Sequence, residues 1–278
     1  IEQKLLVFRK PLADIKKDNK PMPRLANFCH VTSRTAYIFP AKELTHLFHH
    51  YKIPVCIDGA QAAGHIPICI NDYHAEFYLG TLHKWCYTIQ GTAFMVVSPQ
   101  MKQGVTPLTV SYFYGQPFLS EFSYSGLLDF SGQLAVPDAL DFVTDVCGGW
   151  THVWKYCNNL ASQAVEELEA SWGRKVFQGD PEHYGRMPII PLPNGEHCNP
   201  TTAKALMAYL AEVEHITCFL PVISIGGTPT ACARISCNIF TTIEEIKRFG
   251  DVIKKFNGIY NQLYLAITVA EQYLPLVV

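Results

Sequence analysis

Two residues in this chain have the types and the placement to do chemistry together. Asp58 closes the apolar run Val55-Cys56-Ile57 and is followed by Gly59. Lys84 lies 26 residues further on, after Glu76-Phe77-Tyr78-Leu79-Gly80, with Thr81 and His83 just before it. An amine in such a place can form an imine with a carbonyl, and a carboxylate can hold a cationic ring nitrogen. Pyridoxal phosphate needs both groups, because the carboxylate keeps its ring protonated and able to accept electrons. Taken alone, the two residues also fit a plainer reading, in which the acid caps a turn and the lysine is solvated. Their neighbours decide between the readings.

The elements that must position the pair can be read from hydrophobic patterning. Leu25 to His30, Pro54 to Asp58, Glu76 to Leu79 and Thr92 to Ser98 read as strands. Ala41 to Lys52 reads as a helix, with Leu44, Leu47, Phe48 and Tyr51 on one face. Strand, helix, strand predicts a right-handed crossover and a mainly parallel α/β sheet. Such sheets bind ligands beyond the carboxyl ends of their strands, where this reading puts Ser33, Asp58 and Lys84. His46, His49 and His50 lie on the helix's other side, a solvated polar face without a third ligand, so no metal site is expected.

Further along, residues 131 to 171 are helical in pattern and break at Cys147-Gly148-Gly149, which sets an expected domain boundary. Strands are then expected over Met187 to Leu192, Ile216 to Ile225 and Ala233 to Phe240. Helices are expected over Thr201 to Glu212 and Thr242 to Phe256, the last capped by Thr241 or Thr242. This describes a smaller α+β domain.

Several segments, in order, resemble one family. Arg24-Leu25-Ala26-Asn27-Phe28-Cys29-His30-Val31-Thr32-Ser33 is similar to a strand ending in a His-Ile-Thr-Ser run, with Pro40 and Lys42-Glu43-Leu44 opening the next helix. Asp58-Gly59-Ala60-Gln61-Ala62-Ala63-Gly64 looks like an acid-bearing turn, and Phe77-Tyr78 through His83-Lys84-Trp85 looks like a Schiff-base segment. Pro107-Leu108-Thr109-Val110-Ser111, Ser131-Gly132-Gln133-Leu134-Ala135-Val136-Pro137 and Ala233-Arg234-Ile235-Ser236 follow in the same order. Together they resemble the class V aminotransferases, a branch of the fold-type I pyridoxal-phosphate enzymes, and within it the isopenicillin-N epimerase-like proteins and plant cysteine desulfhydrases.

The resemblance implies a large cofactor-binding domain over residues 1–149, entered partway through, and a small domain over 150–278. It implies pyridoxal 5'-phosphate on Lys84, which would also act as the general base, with Asp58 on the ring nitrogen. Gln61 would lie against the ring or donate to its phenolic oxygen, Thr81 and His83 would reach the phosphate and ring, and Ser33 would contact the phenolic oxygen. Arg234 would take the substrate carboxylate in a two-bond fork. A homodimer acting on a small amino acid is implied, with elimination from a cysteine-type substrate favoured. Transamination, epimerisation and a lapsed homologue with a scaffold role are the alternatives.

Two departures from the family pattern stand out. Leu127-Leu128 follow Tyr124-Ser125-Gly126 where relatives carry a Thr-Arg pair, so phosphate anchoring is expected to be weaker or supplied otherwise. Cys218, 16 residues before Arg234, sits in an apolar run, so an inert core thiol is expected rather than a sulfur carrier.

Bulk numbers bound the remainder. The 278 residues carry 49% hydrophobic and 17% charged residues and a net charge of −2, which gives no electrostatic footprint for nucleic acid or a membrane surface. Ten cysteines without regular CxxC pairs favour a reducing, cytoplasmic compartment. The apolar tail, Leu263 to Val278, contains Glu271 and Gln272 and is too short to span a membrane.

Overall fold

A computed structural model describes residues 2–124 and 126–256, except for the side chains of residues 2–4. Ser125 and the tail 263–278 lie outside the described residues. The chain divides into two compact units. One takes in the chain up to Thr32 and Ile38–His152, and the other takes in Ser33–Tyr37 and the chain from Val153 onward.

The first unit opens with helix α1 (Glu2–Lys17), which periodicity alone did not reveal, because Pro11 interrupts its pattern. Its Leu5 and Leu12 are nonetheless buried. Strand β1 (Ala26–Cys29), helix α2 (Ala41–His50), strand β2 (Val55–Asp58), strand β3 (Phe77–Thr81) and strand β4 (Ala93–Val97) follow. The sheet order is β1-β2-β3-β4; the first three strands run parallel and β4 is antiparallel. The expected α/β architecture with a mostly parallel sheet is therefore present. Leu44, Leu47 and Phe48 of α2 are buried with Val55, Ile57 and Tyr78. Each such side chain contributes about 2 kcal/mol by leaving water.

Beyond β4 come short helices α3 (Phe118–Ser123), α4 (Ser131–Leu134) and α5 (Val136–Asp141), then a π-turn over Phe142–Val146. Gly148 and Gly149 then adopt φ of 72° and 89°, a left-handed backbone that stops helical propagation. The helical stretch expected over 131–171 is thus four pieces, the last being α6 (Trp150–Trp172).

In the second unit, α6 buries Leu160, Ala164 and Leu168 along one face. Strand β5 (Ile189–Pro191), helix α7 (Pro200–Glu212), strand β6 (Val222–Ile225), strand β7 (Thr228–Arg234) and helix α8 (Ile243–Phe256) follow. The sheet order is β5-β7-β6, all antiparallel. Helices α6 and α8 pack so closely that a side chain at Gly250 would meet Leu168 at 2.8 Å, and Trp172 Nε1 donates to Gly250 O at 3.2 Å. Thr242 begins α8 with a capping box: its backbone N–H donates to Glu245 Oε2 at 2.8 Å.

Two strands differ from expectation. The strand placed over Ala233 to Phe240 lies earlier, as Thr228–Arg234. Gly226 and Gly227, with φ of 56° and 88°, make a two-residue hairpin turn that pairs Ile225 with Thr228 and fixes that register. Of the run Ile216 to Ile225 only Val222–Ile225 is strand, because Pro221 has no N–H for a ladder.

Candidate active site

Parallel pairing of β1, β2 and β3 puts Cys29, Asp58 and Thr81 at one edge of the sheet. Cys29 is directly opposite Asp58 in register, and Gly59 N donates to Leu79 O at 2.7 Å, which carries the chain off the end of β2. Because β4 is antiparallel, its beginning lies at this edge as well, where Leu82 N donates to Thr92 O at 2.9 Å. Lys84 follows in the turn after β3.

Asp58 is partly buried. Its Oδ1 accepts the backbone N–H of Ala60 at 2.9 Å, and its Oδ2 accepts the Cys29 thiol at 3.6 Å. Burial pushes the Cys29 thiol pKa up, the Asp58 carboxylate adds to that, and Lys84 opposes it. Thr81 is the last residue of β3, so the turn that carries Lys84 leaves the sheet at the same edge as Asp58. Lys84 Nζ makes no hydrogen bond or ion pair among the described residues.

The neighbours lock the two turns to each other. Thr81 Oγ1 donates to Ala60 O at 2.7 Å, tying the lysine-bearing segment to the acid-bearing turn. His83 Nδ1 donates to Thr92 O at 3.1 Å, since a carbonyl can only accept. The neutral imidazole then carries its lone pair on Nε2, and donation from Nε2 requires the imidazolium. Gln61 is buried, and its Oε1 accepts the Trp85 indole N–H at 2.9 Å. His65 stacks on Trp85 at 4.7 Å and donates from Nδ1 to Gln61 O at 2.9 Å. Gly64, at φ 75°, leaves no room for a side chain: a Cβ would lie 2.5 Å from Trp85 O.

Beneath the turn lies an aromatic floor. A Cβ on Gly59 would lie 2.3 Å from the Tyr78 ring, and Tyr78 stacks on Tyr73 and Phe94. His30 is buried with its Nδ1 3.0 Å from Tyr78 OH, and burial pulls its pKa down to about 4. Cys29, His65 and Trp85 were not singled out by sequence reasoning. Gly64 and the aromatic next to Lys84 were the signals that could have found the Trp85 interlock.

Ser33 and Arg234 belong to the second unit and meet there. Arg234 ends β7, its Nη1 donates to Ser33 O at 2.6 Å, and its guanidinium covers the Phe219 ring at 4.7 Å. Its Nε is buried with no partner among the described residues. The arginine borders a cleft of about 590 Å³ that Phe219, Ser236, Asn238 and Phe240 help to line. Cys218 is part of that lining and only partly buried, packed against the core rather than within it as expected, while burial still pushes its thiol pKa up to about 11. His49, one of the helix histidines, contacts Glu76 Oε2 at 3.2 Å rather than standing in solvent. Leu127 and Leu128 are exposed.

The sequence profile described as Aminotransferase class-V matches residues 9–249. The chain belongs to the class V aminotransferase family. Class V aminotransferases depend on pyridoxal phosphate, and the fold-type I architecture recurs in solved structures. Cysteine desulfurase from Thermococcus onnurineus NA1 has a TM-score of 0.69 at 16% identity, covering 88% of this chain and 62% of its own. Alanine–glyoxylate aminotransferase from Nostoc sp. has 0.67 at 15%, covering 89% and 64%. At these identities the likeness is one of fold. Among curated class V relatives, isopenicillin N epimerase of Streptomyces clavuligerus is 29% identical over 255 residues, 86% of this chain and 61% of its own. L-cysteine desulfhydrase of Arabidopsis thaliana is 27% identical over 247 residues, 83% of this chain and 54% of its own. The chain spans from 38% to 61% of the length of such relatives.

The residues present fit the family's cofactor. A carboxylate fixed by a backbone N–H and an amine without a hydrogen bond or ion pair among the described residues both leave the sheet at its carboxyl edge, and Gly59 lets the Tyr78 ring pack directly against the acid-bearing turn. No helix among the described residues is long and apolar enough to cross a membrane.

Proposed function

We propose that this chain is a pyridoxal-phosphate enzyme acting on a small amino acid, with Lys84 as the attachment residue and an L-cysteine-type substrate undergoing elimination. The observation that supports the reading is that Asp58 ends β2 while Lys84 follows the end of the neighbouring parallel strand β3, whose Thr81 is tied to the acid-bearing turn. When bound, the cofactor supplies an electron sink for charge developing at the substrate Cα. Asp58, fixed by the Ala60 N–H, would hold the ring nitrogen in its protonated state. Lys84, with no competing partner among the described residues, would take the proton from Cα and return it to that face or hand it to the leaving group, inversion needing a second proton donor on the opposite face. Gln61, Thr81, His83 and Ser33 are proposed to line the cofactor. Arg234 is proposed to pair with the substrate carboxylate through the part of its guanidinium not given to Ser33.

Elimination is favoured over epimerisation and transamination because relatives named as L-cysteine desulfhydrases recur among the matches. The isopenicillin N epimerase relatives support epimerisation as the second reading. The two are separated by supplying the protein with pyridoxal phosphate and L-cysteine. Elimination releases sulfide, ammonia and pyruvate in equal amounts after one water is consumed, whereas epimerisation releases none of these and yields the D-isomer. Sulfide release lost in Lys84→Ala supports the proposal; inversion without release contradicts the elimination reading.

The assembly is proposed to be a homodimer in a reducing, cytoplasmic compartment. The exposed apolar residues Leu108, Tyr112, Leu127 and Leu134 support the first part. The ten free cysteines support the second.

A further inference from the structure

The backbone around Asp58 is tied to both neighbouring strands: His30 N donates to Asp58 O at 2.8 Å, and Gly59 N donates to Leu79 O at 2.7 Å. The carboxylate is tied in the same manner, one oxygen at a time. Its own turn supplies the Ala60 N–H to Oδ1 at 2.9 Å, and β1 supplies the Cys29 thiol to Oδ2 at 3.6 Å. Cys29 can reach because the parallel register sets it directly opposite Asp58, and paired residues of neighbouring strands put their side chains on one face of the sheet. An ionised carboxylate has no proton to give, so the thiol is the donor. A thiol donates weakly, but a charged acceptor strengthens the bond. Burial and the Asp58 charge both raise the thiol pKa, which keeps that proton in place. Without the thiol, Oδ2 would lose its donor from β1, and the carboxylate could turn about the Ala60 anchor.

We propose that Cys29 is a positioning residue that fixes the second oxygen of Asp58, so that the acid is already oriented when pyridoxal phosphate arrives. The inference rests on the function proposed above, in which Asp58 is the partner of the ring nitrogen. Cys29 acts through the carboxylate and needs no contact of its own with the cofactor. A group oriented beforehand costs less to order on binding, so the gain is an affinity for ligands that carry the ring nitrogen. Ligands without that nitrogen gain nothing.

The test uses the full chain and two ligands, pyridoxal phosphate and its deaza analogue, in which a C–H replaces the ring nitrogen. In Cys29→Ala the dissociation constant for pyridoxal phosphate, measured by reconstituting cofactor-free protein, is expected to rise about threefold or more, with that for the analogue unchanged. The double variant with Asp58→Asn is expected to bind pyridoxal phosphate as Asp58→Asn alone does. Equal weakening for both ligands would mark Cys29 as a packing residue only. That result, unchanged binding of both ligands, or a further loss in the double variant overturns the inference. A cofactor-free measurement covers a Cys29→Ala protein that does not fold. Cys29 is partly exposed, so iodoacetamide can reach it, and its alkylation can be followed across pH by peptide mass spectrometry. In Asp58→Asn the thiol pKa read this way is expected to fall by about half a unit or more, a threefold or larger change in proton affinity. An unchanged pKa removes the contact and overturns the inference. A wild-type protein that takes no pyridoxal phosphate onto Lys84 defeats the proposed function, and the inference with it. A wild type that takes it up, with Cys29→Ala indifferent to the ring nitrogen, defeats the inference alone.

Discussion

At the scale of single residues, burial shifts the protonation of two groups beside the site, His30 and Cys29. His30 shows this most clearly: buried against Tyr78, its pKa falls to about 4 from an ordinary 6.5. The unfolded chain therefore binds a proton below pH 6.5 that the folded chain refuses until about pH 4. Above pH 6.5 neither state is charged and the shift costs nothing. As pH falls from 6.5 to 4 the protein loses about 3 kcal/mol of stability to this one residue. Urea denaturation across that range should show the loss, and His30→Gln should flatten it. A slope unchanged in the variant would place the acid sensitivity elsewhere. Asp58 and Lys84 could be picked out as candidates in the sequence only because their neighbours resemble one family; an acid and an amine after apolar runs also fit a turn cap and a solvated lysine. Cys29 could not be picked out, since nothing in a one-dimensional pattern shows that it lies opposite Asp58; that follows from sheet register.

At the scale of elements, strands and helices with unbroken patterns could be read directly. Pro54 to Asp58 and Ala41 to Lys52 lie within a few residues of β2 and α2. Elements governed by turn geometry could not. The Gly226-Gly227 hairpin, not side-chain pattern, fixes where β7 begins and makes Arg234 its last residue. The lock between the acid-bearing and lysine-bearing turns is of the same kind, and Gly64 is its tightest point. Gly64→Ala combines a left-handed backbone with a carbonyl 2.5 Å from the new methyl group and should cost at least about 2 kcal/mol. Gly91→Ala is the control: its φ is 93° but nothing lies within 4 Å, so it should cost about 1 kcal/mol. Equal losses in the two variants, measured by chemical denaturation, would mean that the contact with Trp85 does not constrain the turn.

At the scale of the whole molecule, the sequence profile covers residues 9–249 and the fold recurs in fold-type I enzymes, so architecture and family are shown together. Self-association was implied by resemblance, and exposed Leu108, Leu127 and Leu134 support it. Leu127→Asp combined with Leu134→Asp should turn a dimer into a monomer by sedimentation, whereas a dimer that survives both changes would put the interface elsewhere. The central claim is that Lys84 carries the cofactor opposite Asp58. The most direct measurement is to incubate the protein with pyridoxal phosphate, reduce with borohydride, digest, and find the modified peptide by mass spectrometry. The account predicts a single reduced adduct on Lys84, absent from Lys84→Ala and diminished in Asp58→Asn. An adduct spread over surface lysines, or one that persists in Lys84→Ala, would contradict it.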